Sequence, residues 1–320
     1  NEFLSSLSDG DIPRCIKCFP LGIIKSKAED EIILFLRSLL PNEKIIHGDR
    51  NVLKPKELDI FIPKKSFAIE YDGLKWHSDS IKPIKEYHLN KTQECESKNI
   101  RLIHIFEDEW IYKQDIVKNR LKTILKSNKN TIMARKCKIN EIDSKEKNIF
   151  LEQTHLQGKD NSSIKIGLYY ENKLVSVLTF GKQRIALGFK NKNSNKNTYE
   201  IIRYASNSIV IGGFNKMLNY FIKKYLPYKI ISYADRRWAY KYNNIYLKNN
   251  FKLVSETSPN YWYVNKNNYL LRYHRYNFRK NILNQKLKYF NNNLSEWDNM
   301  KNNDFDRLWD CGNLKYELLI

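Results

Sequence analysis

The sequence predicts an α/β protein built from two units and a basic tail, preceded by a short segment at residues 1–25. Three observations lead to this architecture. Within residues 26–128, helix and strand patterns follow in the order helix–strand–strand–helix–strand–helix. Residues 138–268 begin with a strand hairpin and then alternate strands with helices. Residues 269–320 open with a run rich in arginine and lysine, for which we expect a helical extension.

The N-terminal unit opens with an amphipathic helix. Ser26 and Glu29 have the spacing of a capping box, and apolar residues then recur at helical spacing until Pro41. Two apolar runs, at residues 57–62 and 66–71, predict neighbouring strands. A helix, a third strand and a second amphipathic helix complete the pattern.

The second unit follows a polar, basic junction. SIKIGLYYENKLVSVLTFGK predicts a hairpin that turns at Glu171–Lys173. Further along, TYEIIRYA and KIISYADR predict strands on either side of the helix GGFNKMLNYFIKKYLP, and FKLVSE predicts a last strand. This unit is therefore also expected to be α/β.

The chain is strongly basic. It has 320 residues, with 56 lysines and arginines against 35 acidic residues and a formal net charge of +21. Such an excess is typical of proteins that bind a polyanion, and we expect double-stranded DNA as the partner. A genome-wide bias toward lysine and asparagine is the alternative explanation of the charge. No apolar run reaches the roughly 18 residues of a transmembrane helix, so we expect no membrane association.

Carboxylates interrupt the two predicted strands of the N-terminal unit. Alternation along residues 66–73 puts Glu70 and Asp72 on one face, and antiparallel pairing would bring Asp59 close to Glu70. Buried, unpaired carboxylates are costly, so a positive group is expected between them. Mg²⁺ suits oxygen ligands, with Mn²⁺ as a substitute. A partly exposed strand edge, with the acids paired to lysines, is the alternative.

These acids carry a resemblance to a known family. Glu29, Asp59, the stretch IEYDG and the following WH, in this order, resemble the PD-(D/E)XK nuclease superfamily, and more narrowly its Vsr-related branch with the EDxHD-type phage homing endonucleases. The resemblance implies a restriction-endonuclease-like core in which Asp59 and Glu70 bind Mg²⁺. It also implies that His77 is a general acid/base or a positioning residue. Asp72 would be a further acid or metal ligand, and Glu29 would orient the metal-bound water.

The sequence departs from the superfamily at one position. The usual lysine two residues after Glu70 is replaced by Asp72. His88 and Lys91, one turn apart on the following helix, are the candidates for the missing catalytic group, although either is equally consistent with a surface position. His104 lies within an apolar strand, where a hydrogen-bonded core histidine is the simpler interpretation.

The second unit carries another resemblance. YADRRWAYKYNNIYLKNNFKLV is similar to the late part of a GNAT acyltransferase fold, in which a tyrosine-bearing helix leads into a strand. The likeness spans about residues 140–265. Asn250 stands where a glycine before the phenylalanine is usual, and the full glycine-rich acyl-CoA signature is absent. Gly212–Gly213 begins a helix whose backbone N–H groups can hold a phosphate, or is simply a packed helix start.

Two cysteines near the beginning have the spacing of one half of a zinc site. Cys15 and Cys18 make one C-x2-C pair, whereas structural zinc needs four ligands. No second pair lies within reach in the sequence. A partial zinc knuckle and two ordinary thiols both remain open.

Basic side chains in two regions are candidates for contact with nucleic acid. The candidate DNA-binding residues are Arg236, Arg237, Lys241, Arg272, Arg275, Arg279 and Lys280. The first three lie among aromatic residues, which can stack on exposed bases, while the basic groups contact phosphates. The others lie in the tail, where the arginines recur at i, i+3 and i+7. The alternatives are a packed sheet edge for the first group and a solvated charged face for the second.

We therefore expect a Mg²⁺-dependent, sequence-specific DNA endonuclease encoded by a phage or another mobile element and acting in the host cytoplasm. A mismatch-nicking repair enzyme or a defence nuclease is an alternative within this class. A GNAT-type acyltransferase acting on nucleic acid and a non-catalytic DNA-binding protein are alternatives from other classes. The oligomeric state is left open.

Overall fold

The structure, a computed structural model, describes residues 26–127, 131–182 and 197–320. Cys15 and Cys18 lie outside the described residues. Within the described ranges, no helix is long and apolar enough to cross a lipid bilayer. Cys95, Cys137 and Cys311 are buried and free.

The N-terminal unit is a four-stranded sheet with helices on both faces. Its strands are β1 (Ile46–Asp49), β2 (Leu58–Ile62), β3 (Phe67–Asp72) and β4 (Arg101–Phe106). Its helices are α1 (Lys27–Leu39), α2 (Tyr87–Ser97), α3 (Glu107–Tyr112) and α4 (Gln114–Ile124). The order is β1–β2–β3–β4, with β2 and β3 antiparallel and β3 and β4 parallel. The neighbouring strands predicted from the two apolar runs are confirmed, and their pairing is antiparallel.

The two faces of this sheet differ in polarity. Isoleucines such as Ile60, Ile69 and Ile103 pack against α1 and α4 on one face. Ala68 and Leu102 pack beside Cys95 of α2 on the other. Because side chains alternate along a strand, the acids of β2 and β3 project to the face that α2 covers.

A seven-stranded sheet forms the second unit. The remaining strands are β5 (Thr131–Met133), β6 (Lys138–Glu141), β7 (Ile164–Tyr170), β8 (Lys173–Lys182), β9 (Thr198–Ser206), β10 (Ile209–Ile211), β11 (Lys229–Asp235), β12 (Lys252–Glu256), β13 (Tyr261–Asn265), β14 (Asn268–His274), β15 (Phe305–Trp309) and β16 (Asn313–Leu319). The helices are α5 (Ser144–Thr154), α6 (Gly213–Tyr225) and α7 (Glu296–Lys301). The sheet order is β12–β16–β11–β9–β8–β7–β6, and β13, β14 and β15 form a separate sheet. The predicted hairpin is confirmed, with Glu171 and Asn172 in the left-handed region between β7 and β8.

The predicted helical extension over residues 269–320 is wrong. Arg272 lies in β14, residues 275–285 form short 3-10 helices, and β16 enters the seven-stranded sheet between β12 and β11. The spacing of the arginines indicated where the positive charge lies but not which secondary structure forms. The aromatic side chains around it favour strands, and their packing partners, such as Tyr263 and Phe305, come from distant sequence.

The predicted capping box at the start of α1 does not form. Ser26 occupies the N-cap position, but its side chain makes no capping hydrogen bond. The carboxylate of Glu29 instead meets the ring of His47 on β1, with 2.8 Å between Oε2 and Nε2. The side chain of Glu29, which the local pattern assigned to the cap, therefore makes a tertiary contact instead.

Candidate functional site

The carboxylates of β2 and β3 form part of the interior. Glu70 is 2% exposed and Asp72 is fully buried. Both face α2, from which His88 and Lys91 project as buried side chains toward the sheet. The acids, the histidine and the lysine that the sequence analysis singled out are thus brought together.

Asp59, Glu70 and Lys91 form one hydrogen-bonded group. The backbone N–H of Asp59 donates to Glu70 Oε1 (3.2 Å), and the backbone N–H of Tyr71 donates to Asp59 Oδ2 (2.8 Å). Lys91 Nζ donates to Glu70 Oε2. An ammonium group therefore reaches Glu70 from Lys91, one turn into α2.

Burial dominates the ionisation of this group. Burial raises the pKa of Asp59 to about 7 and that of Glu70 well above its usual range, with the Asp59 charge adding to the effect on Glu70. Burial alone would lower the pKa of Lys91. The charges of Glu70 and Asp59 outweigh it and raise that pKa, so the ammonium stays charged.

The Mg²⁺ expected at Asp59 and Glu70 stays a prediction. The two side chains offer the carboxylate oxygens that this ion prefers. However, Glu70 already holds the Lys91 ammonium, and one oxygen of Asp59 accepts a backbone N–H. A bound Mg²⁺ would share Glu70 with the ammonium, so the donor set fits the ion only in part.

Asp72 lies at the centre of a second group, made with three histidines. Its Oδ2 lies 3.0 Å from His104 Nδ1, and its Oδ1 lies 3.3 Å from His77 Nδ1 and 3.4 Å from His88 Nε2. His77 Nδ1 and His88 Nε2 are 2.8 Å apart. His88 Nδ1 lies 2.7 Å from the carbonyl oxygen of Trp309 and so donates to it.

The carboxyl pKa at the centre of this group is shifted in the opposite direction to that of Glu70. Burial alone would raise the pKa of Asp72, but the surrounding histidines outweigh it and hold the pKa well below its usual range. Burial lowers the pKa of His77 to about 4 and also lowers that of His104. At neutral pH this gives an ionised carboxylate beside neutral His77 and His104 rings.

Arg236, Arg237 and Arg272 are buried in ion pairs rather than presented at the surface. Arg236 pairs with Glu96 (2.7 Å) and with Glu256. Arg237 pairs with Glu109 at the start of α3 (3.0 Å). Arg272 pairs with the same Glu109 (2.7 Å). These arginines join the second unit to the N-terminal sheet, and their DNA contacts stay a prediction that this packing disfavours.

The other candidate cations divide into two groups. Lys241 pairs with Glu256 and is half-buried. Arg275, Arg279 and Lys280 are exposed. Arg279 lies 3.8 Å from the ring centroid of Tyr276. The exposed three are therefore the members of the set that a large polyanion can reach.

The parallel strands β9 and β11 separate toward their carboxyl ends. Their mutual register ends at Ser232–Ile201, although β9 continues to Ser206 and β11 to Asp235. The connecting helix α6 starts at Gly213, after an exposed Gly212 with φ of 77°. In open α/β sheets, ligands bind in crevices outside the carboxyl ends of the strands. This is the second place where the fold offers a site.

Tyr246 lies where the two strands part. Its hydroxyl is hydrogen-bonded to the side chain of Ser232, and its ring stacks on Tyr316 with 5.1 Å between centroids. Burial raises the pKa of Tyr246, and the Ser232 hydrogen bond and the charges of Arg120 and Arg203 oppose this only in part. The phenol therefore stays protonated at neutral pH.

Asn250 explains how the chain turns after Tyr246. The short helix Leu247–Asn249 ends at Asn250, which has φ of 65°. Glycine adopts this left-handed conformation without strain, and asparagine tolerates it better than most residues. The substitution noted in the sequence is thus compatible with the same backbone turn.

Sequence reasoning missed His47, Tyr246 and the Trp309 carbonyl, and treated His104 only as a core residue. His47 and Trp309 carry no local pattern, because their partners are Glu29 and His88, 18 and 221 residues away. For Tyr246 a signal existed. It lies four residues before Asn250, at the tyrosine of the GNAT-like stretch.

Comparison with known proteins gives structural neighbours only. No protein-family profile matches the chain, and no curated protein matches it. A Bacillus subtilis acetyltransferase in complex with CoA is 13% identical, with a TM-score of 0.28, over 58% of this chain and 99% of that one. An IAA acetyltransferase from Bacillus cereus is 11% identical (TM-score 0.29; 57% and 99%). A GNAT family acetyltransferase from Elizabethkingia anophelis with acetyl-CoA bound is 10% identical (TM-score 0.29; 58% and 99%).

The expectation of a metal-dependent endodeoxyribonuclease is contradicted by this comparison. The similar structures are acetyltransferases, which are transferases, whereas a nuclease is a hydrolase. The resemblance of the N-terminal unit to PD-(D/E)XK and Vsr-like nucleases receives no support. The chain is a mixed α/β protein with GNAT-like structural neighbours. At these TM-scores the likeness carries no argument about what the chain binds.

Proposed function

We propose that the chain is a GNAT-type acyltransferase that takes its acyl group from an acyl-coenzyme A thioester. The observation that carries this proposal is the separation of β9 and β11 beside the first turn of α6, with Tyr246 at the point of separation. An extended, amide-bearing ligand can pair with a strand edge that its neighbour has left. The coenzyme has such a segment between its thiol and its phosphates.

The first turn of α6 suits the phosphates of this donor. Gly212 is exposed, and the backbone N–H groups that follow it carry the positive end of the helix dipole. The charges of Arg120 and Arg203 act on the region around Tyr246. The donor's phosphates would therefore meet the positive end of the α6 dipole, and the two arginines would act on the reacting end.

Tyr246 is the residue to which we assign proton transfer. An acceptor amine attacks the thioester carbonyl, a C–N bond forms, and the C–S bond breaks. The departing thiolate takes the phenolic proton of Tyr246, the ammonium proton of the acceptor passes to solvent, and the tyrosinate regains a proton from solvent. The net charge of +21 favours an acceptor on, or bound to, a nucleic acid.

The experiment is titration calorimetry of the full chain with acetyl-CoA, using the pair Gly212→Asp and Gly212→Asn. Both side chains tolerate the left-handed backbone, and a Cβ at this position lies 3.7 Å from its nearest neighbour, Ala134. They differ only in charge. We expect saturable binding that the Asp variant weakens about tenfold and the Asn variant leaves nearly unchanged. Absence of saturable binding to the folded wild type would contradict the proposal.

A second candidate function is binding of DNA without chemistry. Residues 275–288 contain five exposed cations and no acid, and the cations are Arg275, Arg279, Lys280, Lys286 and Lys288. Such a segment suits a phosphate backbone. DNA affinity that is retained in a chain with no affinity for acetyl-CoA would favour this candidate over the first.

A further inference from the structure

The geometry points to a transition-metal site formed by Asp72, His77 and His88, which binds a divalent ion of the Zn²⁺ type. This inference goes beyond the proposed acyl transfer and does not depend on it. It also differs from the predicted Mg²⁺ site, because two of its three ligands are imidazole nitrogens, which suit Zn²⁺ and Co²⁺ better than Mg²⁺.

The separations between the ligand atoms match a tetrahedral site. Zn–N and Zn–O distances of about 2.0–2.2 Å place neighbouring ligand atoms about 3.3–3.5 Å apart. Asp72 Oδ1 lies 3.3 Å from His77 Nδ1 and 3.4 Å from His88 Nε2. The two nitrogens are 2.8 Å apart, so their separation would increase by roughly half an ångström on binding.

One atom of this group is buried without a hydrogen bond. Asp72 Oδ1 has no hydrogen-bond partner within the described residues, and the side chain is only 1% exposed. A buried polar atom that lacks a partner is costly. A cation coordinated between Oδ1 and the two nitrogens would remove that cost.

Neighbouring residues that do not bind the ion themselves, here called the outer group, orient the ligands through hydrogen bonds. His88 donates from Nδ1 to the carbonyl oxygen of Trp309, which leaves Nε2 without a proton, and this nitrogen accepts from His77 Nδ1 until an ion takes the place of that hydrogen bond. The other oxygen of Asp72 meets His104 Nδ1 at 3.0 Å, and His104 Nε2 meets Thr92 Oγ1 at 2.9 Å. Asp72, His88 and His104 also lie close enough to share an ion. We assign His104 to the outer group because it meets Asp72 through Oδ2, whereas the unpartnered Oδ1 lies against His77 and His88.

The ion would join three parts of the fold. Asp72 ends β3, His77 follows it in a loop, and His88 belongs to α2 and contacts β15 through Trp309. Three protein ligands leave a fourth position for water or an anion. Binding is therefore expected to raise the thermal stability of the chain, a readout independent of any activity.

The test uses full-length, tag-free, chelator-treated protein that carries Cys15→Ser and Cys18→Ser, so that the terminal thiols cannot bind the probe. Co²⁺ is titrated and followed by its visible absorption and by the melting temperature. We expect one bound ion and a rise in melting temperature. His77→Asn and His88→Asn should weaken binding by more than the roughly 10–100-fold that outer-group changes cause, and His104→Asn by an amount within that range.

Two variants serve as controls. His274→Asn, at an exposed histidine, should leave the Co²⁺ affinity unchanged, and Glu70→Gln, in the neighbouring carboxylate pair, separates this site from the predicted Mg²⁺ site. Circular dichroism establishes that each variant is folded. Absence of Co²⁺ binding, unchanged affinity in the folded His77 and His88 variants, or loss of binding in Glu70→Gln alone would each overturn the assignment.

Discussion

The guanidinium of Arg237 lies 3.0 Å from the carboxylate of Glu109 and joins the second unit to the end of the N-terminal sheet. Both side chains are buried, and Arg272 contacts the same carboxylate. Glu109 therefore bridges two arginines, each of which has a second carboxylate partner, Asp235 for Arg237 and Asp108 for Arg272. Buried groups of this kind depend strongly on their partners, because an uncompensated charge in the interior is costly.

Glu109→Gln should destabilise the chain strongly. The variant removes the charge that Arg237 and Arg272 share, and breaking a buried ion pair costs about 3–5 kcal/mol. Urea unfolding at neutral pH measures the difference. Glu152→Gln, which changes an exposed carboxylate, should stay within about 0.5 kcal/mol of wild type. Equal stability of the two variants would show that the Glu109 contact contributes little.

The effect of Glu109→Gln should depend on pH. Burial alone would raise the pKa of Glu109, but the charges of Arg237 and Arg272 outweigh it and lower the pKa below its ordinary value of 4.5. A carboxyl with a lowered pKa in the folded state stabilises that state above its unfolded pKa, and this stabilisation is lost as the pH falls through the folded value. The gap between wild type and variant should therefore be full at neutral pH and should shrink below pH 4.5. A gap that widens on acidification would contradict the assignment.

Tyr246→Phe should slow the proposed acyl transfer without weakening donor binding. Loss of a general acid typically costs about 10²–10⁴-fold in rate. The measurement is release of the CoA thiol from acetyl-CoA in the presence of DNA, with kcat and KM determined separately. Tyr242→Phe is the matched control, since Tyr242 is 58% exposed in the same segment. A rate unchanged by Tyr246→Phe would remove this tyrosine from the mechanism.

Asn250→Ala should cost about 1–2 kcal/mol, because alanine is strained at the φ of 65° that this position requires. Asn250→Gly, which relieves the same strain, should be close to wild type or slightly more stable. Thermal unfolding compares the three proteins. If the alanine variant were as stable as the glycine variant, the left-handed turn would not limit stability here.

Binding to DNA should depend steeply on salt if residues 275–288 contact the backbone. Five phosphate contacts predict a slope of log affinity against log salt of about −4.5, or roughly a 500-fold loss between about 50 and 200 mM. Replacing Arg275, Arg279 and Lys280 by glutamine should reduce the slope by about 3. The same replacement of Lys173, Lys223 and Lys252, exposed lysines of the second unit, removes equal charge. Equal slopes for the two triple variants would assign binding to net charge alone.

The local elements with strong periodicity follow from the amino-acid sequence alone. The two apolar runs became β2 and β3, and the turn at Glu171–Lys173 became the hairpin of β7 and β8. Alternation also put Glu70 and Asp72 on one buried face. These features depend on the period of side chains along a strand and on turn residues, both of which are properties of neighbouring residues.

Which charged groups meet depends instead on how distant segments of the chain pack together. Lys91 reaches Glu70 across 21 residues, Arg237 reaches Glu109 across 128, and His88 reaches the Trp309 carbonyl across 221. The dependence on distant partners also explains the tail. There the spacing of Arg272 with later arginines suggested a helical face, but the chain formed a strand. A local pattern describes what a segment can bury, whereas the partner of a buried charge depends on how distant segments cross. Burial then makes that partner decisive, because a charge in the interior requires one.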